Sequence, residues 1–121
     1  MKARFFAFFI TLLLALPSAL QAQSSVDGLW NFVMTGPAGE VTAVVDFFSD
    51  GTDLIGQFDM GSGNIWPISG GSVNGNTITF DLPRGNSGVT YQMSGTVQGD
   101  TISGQAAAMG TTASWSMTRA Q

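Results

Sequence analysis

Apolar residues in this chain recur at every second position, and glycine-led turns cut the pattern at a fixed interval. In Thr77-Ile78-Thr79-Phe80-Asp81-Leu82, the residues Ile78, Phe80 and Leu82 share one face while Thr77, Thr79 and Asp81 share the other. Val89, Tyr91, Met93, Gly95 and Val97 alternate in the same way with Thr90, Gln92, Ser94 and Thr96, and Ala113, Trp115 and Met117 with Ser114, Ser116 and Thr118. A period of two places alternate side chains on opposite faces of a strand, so each run is a strand with one buried face. Asp50-Gly51, Asn74-Gly75-Asn76 and Gln98-Gly99-Asp100 supply the positive φ that tight hairpins need. Their glycines stand 24 residues apart each time. One such hairpin every 24 residues gives two strands per repeat, the rhythm of an antiparallel meander.

Eight strands follow, over 28–34, 41–49, 53–59, 64–73, 77–82, 89–97, 101–108 and 112–119. A meander of paired neighbours must hide its two edges, and an eight-stranded sheet can do so by closing on itself. The expected fold is therefore all-β, an eight-stranded antiparallel up-and-down barrel, with a β-sandwich as the alternative. Membrane-spanning barrels need strands of about 9–11 residues and aromatic girdles. Here the face opposite the core is mostly Thr, Ser, Gln and Asp, which reads as a water-facing exterior.

The N-terminus has a different character. Lys2 and Arg4 precede an apolar run from Phe5 to Leu16, broken by Pro17 and Ser18 and followed by Ala22 and the polar Gln23-Ser24-Ser25. That order is the pattern of a secretory signal peptide, helical in its apolar part. The run is shorter than the roughly 20 residues a spanning helix needs; a retained anchor is the alternative. The expected organisation is a signal peptide over 1–22 and a single domain over 23–121, in a periplasmic or secreted protein with no stable membrane insertion after cleavage. The chain has no cysteine. A small exported domain without disulfides must hold itself by its core alone.

Charge narrows the partners. Beyond the signal, Arg84 and Arg119 are the only basic side chains, against eight carboxylates. Nucleic-acid binding depends on Lys and Arg neutralising phosphates, and is excluded on these numbers. Anionic lipid is disfavoured for the same reason.

The reactive inventory is thin. Residues 23–121 contain no His, Cys or Lys, which removes Ser–His–Asp and Cys–His catalysis, a Schiff-base lysine and the usual zinc sites. Paired carboxylates can hydrolyse glycosides. Asp46, Asp59 and Asp81, however, fall mostly on the polar face, and Asp50 and Asp100 in turns. Asp46, Asp50 and Asp53 could surround Ca²⁺, yet Ser49-Asp50-Gly51-Thr52-Asp53 lacks a calcium-loop pattern and reads as a hairpin. No catalytic residue, metal or cofactor is expected.

Gly28-Leu29-Trp30 opens the first strand and Arg119 closes the last. This pairing resembles the calycin superfamily, which includes lipocalins, fatty-acid-binding proteins and avidins. The resemblance implies a Trp in the opening strand covered by a basic side chain from near the end of the barrel. A guanidinium suits that place because it can lie on an indole face. The repeated Gly-x-x-Ile of Gly75–Ile78 and Gly99–Ile102 is similar to small barrel domains of bacterial exported proteins.

The inward face holds both large and small residues. Phe47, Phe58, Phe80, Tyr91, Met93, Trp115 and Met117 are large; Gly56, Gly95, Gly104, Ala106, Ala108 and Ala113 are small. Alternation of this kind either fills a tapering barrel or leaves a pocket. The first expectation is an apolar small-molecule binding module of lipocalin-like type, with Phe58, Trp66, Phe80, Tyr91, Met93 and Trp115 giving contact area. The alternative is a non-catalytic structural or interaction protein with a filled core. A barrel-enclosed cyclase or isomerase working through Asp or Tyr is a third reading.

Overall fold

The computed structural model describes residues 25–36, 39–85 and 87–120. The N-terminal segment read as a signal peptide lies outside them. Nine strand segments follow one another: β1 (Gly28–Gly36), β2 (Gly39–Asp50), β3 (Asp53–Asp59), β4 (Ile65–Pro67), β5 (Ser69–Asn74), β6 (Thr77–Pro83), β7 (Thr90–Gln98), β8 (Thr101–Ala108) and β9 (Thr111–Arg119). All pair antiparallel, β1 joins β9, and β2 joins β3, so the sheet closes into an up-and-down barrel. Among the described residues there is no helix.

The barrel has eight staves because β4 and β5 share one. Both pair with β3, where the sequence predicts a continuous strand over 64–73. The break has local causes. Pro67 has no N–H to give a ladder. Gly70 takes a φ of 60°, and the register with β6 shifts between Ser69 and Ser72. A Cβ on Gly71 would run into the carbonyl oxygen of Leu54, so glycine is what lets β5 regain contact with β3.

Gly51, Gly75 and Gly99 each lead a two-residue turn with φ of 62–63°. The fixed spacing puts all three turns at one end of the barrel. That end is also where the chain enters and leaves, and it is sealed. Val26 is buried beneath it, and the Trp30 indole N–H donates to the Val26 carbonyl at 2.9 Å. The Arg119 guanidinium lies 4.0 Å from the Trp30 ring centroid. It also donates to the Asp27 carbonyl at 2.6 Å and the Ser25 carbonyl at 3.0 Å. The opposite end carries the connections 60–64, 84–89 and 109–110.

Between the ends runs one core, with the alternation the sequence predicts: Ile78, Phe80 and Leu82 on β6, Met93 and Val97 on β7, Trp115 and Met117 on β9 are all buried.

Candidate functional site

Six aromatic rings are buried in the barrel, five of them in its middle. Phe32 meets Phe58 edge-on at 5.1 Å and Trp115 at 5.8 Å; Phe80 contacts Phe47 at 5.7 Å, Phe58 at 5.9 Å and Trp115 at 6.4 Å. The sixth, Trp30, belongs to the sealed end. Separations of 4.5–7 Å with tilted planes are the favourable geometry for ring quadrupoles.

The small residues of the last strands divide into two groups. Gly95 and Gly104 are seats for Trp115. A Cβ on Gly95 would stand 2.7 Å from Trp115 Cη2, and one on Gly104 would stand 2.5 Å from Trp115 Cζ2. The large residue occupies the space the glycines vacate, so no space opens there inside the barrel; on the outer wall Gly95, Gly104 and Trp115 floor an open hollow rimmed by Ser94, Ser103, Gln105 and Ser114. Trp115 Nε1 has no hydrogen-bond partner among the described residues.

Ala106, Ala108 and Ala113 lie further along, toward the mouth. Together with Gly36, Gly39, Met34, Tyr91, Thr111 and Thr112 they line an open recess of about 230 Å³. Next to it, a cavity of about 40 Å³ lies among Phe32, Met34, Val41, Phe58, Met60, Trp66, Leu82, Tyr91 and Met93. A water needs ~10–15 Å³ on this measure, so the cavity itself takes a few waters at most. Met34 and Tyr91 border both spaces.

Of the six residues singled out from sequence, four gather at this inner cavity: Phe58, Trp66, Tyr91 and Met93. Phe58 and Met93 are buried in the core, whereas Trp66 and Tyr91 are half-buried at the mouth. Phe80 and Trp115 border neither space and pack in the aromatic cluster. Phe32, Met34, Val41, Met60 and Leu82 line the inner cavity as well, outside the set the sequence singles out. Met34 was legible, because it continues the Trp30, Phe32 alternation; Met60 sits in a connection, where periodicity carries no information.

The mouth has a conspicuous lip. Met109 is 85% exposed and takes a φ of 53°, followed by Gly110 at 80°. Two positive φ values in a two-residue hairpin form a type I′ turn, where Asn-Gly is the ordinary choice.

The acidic residues lie elsewhere. Asp46, Asp50, Asp53, Asp59, Asp81 and Asp100 are all exposed. No three carboxylates among the described residues come close enough together to hold a metal ion.

No protein-family model matches the chain, and no curated protein matches it. A solved structure of a redesigned β-barrel is similar in fold, with a TM-score of 0.61 over 79% of this chain and 92% of that one. The two are 15% identical, so the likeness is one of fold alone.

Proposed function

We propose that the protein is an exported, non-catalytic binding module of lipocalin-like type that holds a small apolar group at the barrel mouth. The observation that carries this reading is where the aromatic filling stops. Below Tyr91 the interior is packed apart from the cavity of about 40 Å³; above it Ala106, Ala108 and Ala113 leave the recess of about 230 Å³ beside Met34. The opposite end is closed by Trp30 and Arg119, so among the described residues the recess opens at the mouth. Ligand sites commonly enclose about 300–1,000 Å³. The occupant is accordingly a compact molecule or the end of a longer apolar chain. Methionine adapts to irregular shapes and suits such a site. Met109 on the lip breaks the local turn rule without gaining burial, and such departures collect at functional positions.

Native mass spectrometry of the mature protein, purified from the compartment that holds it, tests the reading. The expected result is added mass that disappears on denaturation. A bare mass, unchanged by a panel of small apolar compounds, supports the second reading instead, an interaction protein with a filled core. That second reading draws on the packed aromatic cluster, where Phe58 and Trp115 are at most 3% exposed.

A further inference from the structure

The outer wall of the barrel has two unlike halves. Across β6, β7, β8 and β9 one row of facing residues runs Thr79, Ser94, Gln105 and Ser114, all uncharged hydroxyls or amides. Such residues fit a solvated strand face at no cost in exposed apolar area. Across β1, β2 and β3 the outward positions include the polar Asn31, Thr42 and Gln57, but also an apolar and acidic group. Leu29, Val44, Phe48 and Ile55 point outward and are 50%, 43%, 56% and 54% exposed. Single exposed apolar residues need no explanation, but a cluster does. The other half of this same barrel shows that the fold does not require them.

The register arranges these residues around one carboxylate. Asp46 lies between Val44 and Phe48 along β2 and faces Leu29 across the β1–β2 ladder. Phe48 in turn faces Ile55 on β3. Facing side chains stand about 5 Å apart and diagonal ones about 7–8 Å, so Leu29, Val44 and Phe48 adjoin Asp46, Ile55 lies diagonal to it, and the polar Gln57 faces it from β3. Asp46 is exposed, and among the described residues the one ion pair is that of Arg119 with Asp100 at the sealed end.

We propose that this β1–β3 face is a docking surface for a basic, apolar-flanked polypeptide segment, with a Lys or Arg set on Asp46 and apolar side chains on Leu29, Phe48 and Ile55. Charge complementarity selects this occupant. A second copy of the barrel, set face to face, would bring Asp46 and Asp59 against like charges, which costs rather than stabilises. An anionic lipid surface is repelled for the same reason. A cationic segment gains both the pairing and the apolar contact. This surface is independent of the mouth recess, and either assignment can stand without the other.

The probe is a fluorescein-labelled synthetic peptide of alternating Leu and Lys, titrated at low salt and followed by anisotropy and by amide NMR. The expected result is saturable binding with shifts centred on Leu29, Asp46, Phe48 and Ile55. Asp46→Asn is expected to weaken it at least about fivefold and Phe48→Thr/Ile55→Thr at least tenfold, while Thr79→Ala/Ser94→Ala on the other half leaves it unchanged. All these side chains face solvent, and circular dichroism checks that each variant keeps its fold. Equal binding of a Ser–Lys peptide with no dependence on Phe48 would overturn the proposal, reducing it to charge alone. So would absence of binding, shifts on the other half, or a dimer in sedimentation that Phe48→Thr dissolves.

Discussion

The Arg119 guanidinium lies 4.0 Å from the centre of the Trp30 ring and hydrogen-bonds the carbonyls of Asp27 and Ser25. One side chain thus ties the last strand to the first and to the segment leading into it. It does so where Trp30 is fully buried and Val26 closes the base. Hydrogen bonds from a charged donor contribute about 1.5–3 kcal/mol each before exposure is allowed for, and cation–π contacts about 0.5–2 kcal/mol. The Arg119 side chain is 28% exposed, which favours the lower figures. Arg119→Ala is expected to cost roughly 2–3 kcal/mol in urea unfolding. Arg119→Lys should recover less than half of the loss, since an ammonium cannot both stack and reach two carbonyls as a planar fork does. A loss within error for Arg119→Ala would remove the cap from this account.

Trp115 and its two glycines give a sharper test, because their clashes differ in kind. A Cβ on Gly95 meets Trp115 and Ile102 side chains; one on Gly104 also meets the Ser94 carbonyl oxygen, part of the backbone. Each Gly→Ala change should cost about 1–3 kcal/mol through overpacking. In combination with Trp115→Phe, the Gly95→Ala penalty should shrink while the Gly104→Ala penalty persists. A double-mutant cycle reads the difference directly. Trp115→Phe by itself should cost less than its lost area implies, since it also removes an indole N–H without a partner among the described residues. Equal, additive penalties at both glycines would contradict the seating.

Much of this architecture could be read from the chain. Strand alternation and the evenly spaced Gly51, Gly75 and Gly99 specify an antiparallel meander, because period two and positive φ are local properties. The eight staves and most of their bounds follow from those two signals. The break at Ile68 did not, since it depends on how closely Gly71 approaches Leu54 across the ladder. The interior was half legible. Sequence supplies the sizes of the inward residues, but not the heights at which they meet. Gly95, Gly104 and Ala113 look alike as small positions, yet Trp115 covers the first two, and Ala113 alone of the three lines the recess. The exposed cluster around Asp46 was hidden for the same reason, since it forms only when β1, β2 and β3 come into register.

Met109 is a position where stability and function should separate. A non-glycine residue in the left-handed region costs about 1–2 kcal/mol, and Asn is among those that tolerate it. Met109→Asn should therefore stabilise the barrel by roughly 0.5–1 kcal/mol, raising the melting temperature by about 2–6 °C for a domain of this size. If the lip contributes to the site, the same variant weakens binding of an apolar probe. An unchanged or lower melting temperature would show that the turn is not strained by its methionine.

The recess itself can be filled. Ala113→Leu places added methylenes in the recess that Met34 and Tyr91 also line, in space that is open rather than packed. Its melting temperature should stay the same or rise, whereas the same change at a packed position would lower it. Calorimetry with n-octanol as probe should show at least a tenfold loss of affinity relative to the parent. A strongly destabilised Ala113→Leu would mean that no usable recess exists.

The proposed site for an apolar group is the mouth, and not the barrel interior or its sealed end. Methyl-resolved NMR during titration with n-octanol tests this most directly. Saturable shifts are expected at Met34, Ala106, Ala108 and Ala113, with Val26 and Val45 unmoved. Mouth methyls that stay fixed up to the solubility limit of the alcohol, or shifts that centre on Val26 and Val45, would contradict it.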